Sequence, residues 1–232
     1  MSSLEAANLF AVKGLVAVIT GGSSGLGAMM AKTLALNGAS KIYIIGRRKE
    51  MLEATAKESP HGNITPIVGD VTSKDDLKSI AATIEKEVGY INVLIANSGI
   101  AGPQSLSITP ETSLKDFQSA LWEQSFDDYT NTFAVNVSAV FFTVVAFLSL
   151  LDAGNAKGNV EQQSQVIATS SIGGFNRNVP GGYAYGQSKA ATTSLMKQLA
   201  TQLVPYGIRS NVIAPGCTSF YQSVWNHRWL IE

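Results

Sequence analysis

The sequence predicts an α/β fold, a doubly wound parallel sheet with helices on both faces, in a single domain spanning residues 1–232. Three observations carry this expectation. Short, continuous apolar runs rich in Val and Ile alternate with helical patterns, as they do when strands are buried on both faces. The first of these runs feeds directly into a glycine-rich turn that opens a helix. Composition agrees: 45% of the 232 residues are hydrophobic, 15% are charged and 21 are glycine, enough apolar material for one sizeable core.

Taken in order, Val16–Thr20 is the first strand, followed by glycines and a helix over about Leu26–Asn37. Lys41–Ile45 is the second strand. Thr65–Val68 is the third, ending at Asp70-Val71 and followed by a helix over Lys74–Val88. Asn92–Ala96, Gln165–Thr169 and Arg209–Ala214 complete the strands, and Ala101–Ser113 and Gly154–Gln163, rich in Gly, Pro or polar residues, read as loops. Phe133–Leu151 holds no charged residue and is about long enough to cross a bilayer. Asn136, Ser138, Thr143 and Ser149 dilute it, and Asp127, Asp128 and Asp152 flank it without a basic cluster. It therefore reads as a helix buried inside the protein or between two subunits, not as a membrane span.

Charge and cysteine usage exclude other classes. The 17 basic and 17 acidic residues cancel, and with no basic stripe the sequence offers no nucleic-acid surface. Met1–Lys13 carries Glu5 and no basic leader, so it does not read as a signal peptide. Cys217 is the lone cysteine, which excludes an internal disulfide and fits a reducing, cytoplasmic location. With only His61 and His227 beside it, little remains for a zinc site, and no metal is expected.

The segment Thr20-Gly21-Gly22-Ser23-Ser24-Gly25-Leu26-Gly27 joins the first strand to its helix. A strand–glycine loop–helix unit places backbone N–H groups and a helix N-terminus against a pyrophosphate, the Rossmann-type arrangement. Glycine is required where the chain turns sharply or approaches the ligand without a Cβ. No Gly-Lys-Ser/Thr follows, so this is not a Walker loop. The second strand ends at Ile45-Gly46-Arg47-Arg48. A carboxylate there would hold the ribose 2′-hydroxyl of NAD, whereas Arg47 and Arg48 suit the 2′-phosphate of NADP. NADP(H) is the expected cofactor.

Tyr185 and Lys189 lie four residues apart, so on a helix they share a face. A free phenol titrates at about pH 10, and a fixed cation beside it favours the phenolate. Such a pair supplies the proton donor and acceptor that carbonyl reduction needs. Tyr183 competes for the role, but Gln187, not a lysine, stands four residues after it.

With these motifs in one order, the chain resembles the short-chain dehydrogenase/reductase family over nearly everything from about Leu15 to Gly216. Asp70-Val71 matches the family's adenine contact. Ala96-Asn97-Ser98-Gly99 resembles its Asn-Asn-Ala-Gly segment, with Ala96 and Ser98 as departures. Asn136, in Phe-Ala-Val-Asn-Val, matches the asparagine of the central helix, and Ser170-Ser171-Ile172-Gly173-Gly174 the segment bearing the active-site serine, usually the second of the pair. Asn211-Val212-Ile213-Ala214-Pro215-Gly216 matches the loop over the nicotinamide. Among family members the chain is similar to fungal 3-oxoacyl-carrier-protein reductase-like enzymes, several of them in secondary metabolism.

The resemblance implies residue roles. Tyr185 exchanges the proton with the carbonyl or alcohol oxygen, Lys189 supports Tyr185 and binds the nicotinamide ribose, and Ser171 holds the substrate oxygen. Asn136 either fixes a proton-relay water or bridges buried backbone groups. Gly21, Ser23, Ser24, Gly25, Leu26, Gly27, Arg47, Arg48, Asp70, Val71, Asn97, Gly99, Pro215, Gly216 and Thr218 are the cofactor set, with Tyr185 and Lys189. The implied reaction is hydride transfer between NADPH and a small-molecule ketone or secondary alcohol, of β-ketoacyl or polyketide-like type. A homodimer or homotetramer through helices corresponding to Phe133–Leu151 and Tyr185–Val204 is also implied.

After Gly216 the family pattern stops, and Cys217–Glu232 is aromatic-rich without a strand–helix–strand pattern. Two readings compete: a truncated or mis-spliced product, and a divergent enzyme with a short lid. The same observation keeps open a dinucleotide-binding protein without catalysis. A serine hydrolase is excluded, because Ser170 and Ser171 lie in no Gly-x-Ser-x-Gly elbow and histidines are scarce.

Overall fold

In the computed structural model, residues 10–104, 109–178 and 181–216 are described. Their six strands are β1 (Val16–Thr20), β2 (Lys41–Gly46), β3 (Ile64–Val68), β4 (Val93–Ala96), β5 (Gln165–Thr169) and β6 (Arg209–Ile213). All pair in parallel, in the order β3-β2-β1-β4-β5-β6. Every strand expected from the sequence is present, with ends shifted by at most one residue. The order reverses between β1 and β4, and the crevice of such sheets opens there, beyond the strand C-termini.

The helices are α1 (Gly25–Leu36), α2 (Lys49–Lys57), α3 (Lys74–Glu87), α4 (Leu114–Trp122), α5 (Phe126–Phe133), α6 (Ala139–Lys157) and α7 (Tyr183–Gln202). Alternation along each strand divides the core between two faces. Val16, Val18, Tyr43, Ile45 and Leu94 pack with Ile80, Ile84, Val144, Phe147, Leu151 and Met196 of α3, α6 and α7. Ala17, Ile19, Ile42 and Ile44 pack with Ala31, Ala35 and Leu52 of α1 and α2.

Two expectations are corrected. Gly154–Gln163 is not all loop, because α6 runs through Lys157 and ends on left-handed Gly158, at φ 59°. Gly154 is there for proximity: a Cβ on it would run into the Ile91 carbonyl oxygen. The apolar stretch is also not one uniform α-helix. A π-helical segment, Ala134–Ser138, joins α5 to α6. From Phe126 to Lys157 the run is long and apolar enough to cross a membrane by length and composition. Its Val140, Val144, Phe147 and Leu151 are instead buried in the core, while Phe141, Phe142 and Val145 are exposed.

Candidate active site

A cleft of about 560 Å³ opens at the C-terminal ends of the strands. Gly21, Ser23, Ser24, Gly25, Leu26, Arg47, Arg48, Asp70, Val71, Asn97, Gly99, Ser171, Tyr185, Lys189, Pro215 and Gly216 all line it. Gly27 sits behind the loop, not on the cleft wall: a Cβ there would strike the Gly21 carbonyl oxygen and lie 2.6 Å from Asn97 Nδ2. Its contribution is to let α1 close on the loop. Asn136 also lies behind the wall, and Thr218 falls outside the described residues.

The glycine loop fits a dinucleotide pyrophosphate. Gly21 and Gly25 take left-handed φ of 67° and 54°. A Cβ at Gly22 would lie 2.6 Å from Ile44 Cβ, so the turn lies hard against β2. No side chain caps the first N–H groups of α1, which leaves the helix N-terminus to an anionic group. Arg48 Nη2 donates to Ser24 Oγ at 3.1 Å and to Ser23 Oγ at 3.4 Å, which holds a guanidinium over the loop. Arg47 faces the other way, with Nη1 3.7 Å from Asp70 Oδ2, and is 74% exposed. A contact so long and solvated contributes little stability. Asp70 Oδ1 accepts from the Thr72 amide and hydroxyl at 2.9 and 2.8 Å. The Thr72 amide foremost, with its hydroxyl and Arg47, holds the Asp70 carboxyl below the usual range against partial burial.

Across the cleft, α7 presents Tyr185 and Lys189. Lys189 is 4% exposed. Burial pulls its ammonium down to about 8. Its Nζ donates to the Thr169 carbonyl at 2.7 Å and lies 5.8 Å from the Tyr185 ring centroid. Ser171 begins a short 3₁₀ turn, Ile172–Gly174, and its Oγ accepts from the Gly173 amide at 3.1 Å. A Cβ at Gly173 would lie 3.4 Å from Ser171 Oγ and 3.5 Å from Tyr185 Cε1, so serine and tyrosine border the same point. Gly174 rests on α7 so closely that a Cβ would lie 2.8 Å from Lys189 C and Ala190 N. Ser170 is spent inside: its Oγ donates to Lys189 O at 3.0 Å and lies 2.7 Å from Thr193 Oγ1. Gln187 is also engaged, accepting from Tyr129 Oη at 2.6 Å.

Asn136 uses its whole amide on buried groups. Its Oδ1 accepts from Ile100 N at 2.8 Å, and its Nδ2 donates to Ile100 O and Ser188 Oγ, each at 2.9 Å. Its main-chain carbonyl, in the π segment, accepts from Thr192 Oγ1 at 2.7 Å. The amide thereby fastens the loop after β4 to α7. Gly99 is squeezed beside it, where a Cβ would lie 3.1 Å from Asn136 Oδ1 and 3.2 Å from Lys189 Nζ.

Thr20, Ser98, Thr169, Asn131 and Val135 belong to the site beyond the catalytic and cofactor sets expected from the sequence. Thr20, buried at the end of β1, accepts the Asn97 and Ser98 amides on Oγ1 at 2.9 and 3.0 Å. The other four line the cleft. A polar residue closing an otherwise apolar strand was the readable signal for Thr20 and Thr169. Asn131 and Val135 carried none.

Comparison with known proteins agrees with this geometry. The sequence model described as short chain dehydrogenase matches residues 15–227, beyond Gly216. The chain is 56% identical over 215 residues to the short-chain dehydrogenase/reductase PhomF of Diaporthe leptostromiformis, covering 92% of this chain and 73% of that protein. It is 45% identical to VdtF of Byssochlamys spectabilis, another short-chain dehydrogenase/reductase, covering 92% and 76%. Among solved structures it superposes on a Pseudomonas aeruginosa RhlG/NADP active-site complex with a TM-score of 0.76 and 28% identity, over 93% of this chain and 78% of that one. Sheet order, glycine loop and sequence match converge: the chain belongs to the short-chain dehydrogenase/reductase family.

Proposed function

We propose that this protein is an NADP-dependent reductase that moves a hydride between NADPH and a ketone or secondary alcohol, with β-ketoacyl and polyketide-like ketones as the substrate class. The observation that carries the reading is the grouping of Ser171, Tyr185 and Lys189 in the cleft that also contains the glycine loop and both arginines. The NADP bound to the similar RhlG structure supports the cofactor choice.

Each residue has a chemical task. The N-terminus of α1 and the loop amides take the pyrophosphate. Arg48, held over Ser23 and Ser24, and Arg47 take the 2′-phosphate, and Asp70 and Val71 border the adenine. The bound cofactor supplies the hydride. Ser171 Oγ donates to the substrate oxygen and steadies the charge that gathers there. Tyr185 delivers the proton to that oxygen in reduction and takes it back in oxidation. Lys189, charged below about pH 8, supports the tyrosine electrostatically and binds ribose hydroxyls. Asn136 positions this group through Ile100 and Ser188.

NADPH consumption by purified protein, against a panel of β-ketoacyl and polyketide-like ketones, tests the reading directly. Tyr185→Phe is expected to lower turnover by at least about a hundredfold while NADPH binding, followed by fluorescence, stays within about twofold of wild type. A lower KM for NADH than for NADPH would overturn the cofactor assignment. NADPH binding without turnover on any ketone would replace the reductase by a dinucleotide-binding protein. Assembly as a homodimer or homotetramer through the exposed Phe141, Phe142 and Val145 of α6 belongs to the same proposal.

A further inference from the structure

We propose that Thr169 is a positioning residue that fixes the Lys189 ammonium and the glycine loop relative to one another. The inference rests on the reductase reading above. Thr169 is the last residue of β5 and works from both sides of its Cα. Its carbonyl accepts from Lys189 Nζ at 2.7 Å, and its Oγ1 donates to Asn97 Oδ1 at 3.0 Å. The Asn97 amide in turn donates to Thr20 O at 3.1 Å and Gly21 O at 3.5 Å. A continuous hydrogen-bonded strap therefore runs from the lysine on one wall of the cleft to the first glycine on the other.

The residue type is what makes the strap continuous. Register pairs Ala96 with Ala168, which sets Thr169 beside Asn97 at the ends of their strands. Valine would suit the strand equally well, but only a hydroxyl gives Asn97 Oδ1 a donor there. The Thr169–Ser170 peptide is held at two points, by the Ser170 amide on Ile213 O at 2.8 Å and by the Thr169 hydroxyl on Asn97, which together keep the carbonyl aimed at the ammonium. Among the described residues no carboxylate is paired with Lys189. Tyr185 is the titratable group facing it, and the elements packed against it present neutral Ser170, Ser171 and Asn136.

Thr169→Val keeps the shape and removes the donor, and Thr169→Ser restores it. Two readouts avoid turnover altogether. The first is the pH dependence of Lys189 acylation by trace acetic anhydride in the ligand-free protein, quantified by mass spectrometry. The second is NADPH affinity by fluorescence. T169V keeps the main-chain acceptor but unties it from Asn97, so the contact with the ammonium loosens, the acylation profile moves to lower pH and the Lys189 rate at a fixed neutral pH rises. NADPH affinity falls by about fivefold, the scale of one hydrogen bond. T169S returns both to wild type, and T169A serves the comparison if T169V does not fold. A merely structural role would lower the melting temperature without moving the acylation profile, and that result overturns the proposal. So does a T169S protein as altered as T169V. A wild-type protein that binds NADPH but reduces no ketone counts against the reductase reading alone.

Discussion

Lys189 shows how burial and chemistry pull against each other at a single residue. Its charge is kept out of water with one carbonyl acceptor and no carboxylate partner among the described residues. Its pKa falls from 10.5 to about 8, so between those values the unfolded chain binds more protons than the folded one. Stability therefore rises with pH through that window, and the full cost of the buried charge is felt below it. Lys189→Met removes the titration. Denaturant melts should show the wild type gaining on the mutant as the pH climbs from neutral to about 10, by up to ~3 kcal/mol. A constant difference would mean that the ammonium is solvated. Gly99→Ala makes a second residue-scale test. Its Cβ would fall at 3.2 Å from Lys189 Nζ and 3.1 Å from Asn136 Oδ1, so turnover should drop by about tenfold or more with the fold retained by circular dichroism.

At the scale of elements, sequence and structure agree where a pattern is local and part company where a contact is distant. All six strands were legible because each is a short apolar run closed by polar or glycine residues. α2 was not, since it is short and Arg48 at its start offers no side-chain cap. α4 and α5 did carry a sign, Ser113 and Ser125 accepting from the Asp116 and Asp128 amides, but they are short and lie in a stretch with few buried residues. Ser125→Ala should cost about 1 kcal/mol by loss of that cap, measured in urea. The choice of Ser171 over Ser170 was readable only by resemblance, because the bond of Ser170 to Lys189 O spans from the residue after β5 to α7. Gly27 looked like a ligand contact for the same reason: its true neighbours, Gly21 O and Asn97, come together only in the folded chain. Gly27→Ala should overpack that junction by about 1–3 kcal/mol, visible as a lower melting temperature.

For the molecule as a whole, the two sides of the cleft are built differently. One side is the glycine loop and α1, resting on β2 through Gly22 and Ile44. The other is α7 with the turn that bears Ser171. The outward face of α6, with Phe141, Phe142 and Val145, is apolar. Replacing Phe142 and Val145 together by aspartate should shift light-scattering mass toward the monomer. A wild-type monomer would dispose of the oligomer proposal.

The contact of Gly174 with the backbone of Lys189 and Ala190 has a mechanical meaning. The turn bearing Ser171 and the helix bearing Tyr185 and Lys189 are packed backbone to backbone, so hydroxyl, phenol and ammonium are held as one unit. With the Thr169–Asn97 strap tying the same unit to the glycine loop, the arrangement of these groups is preorganised on the folded backbone.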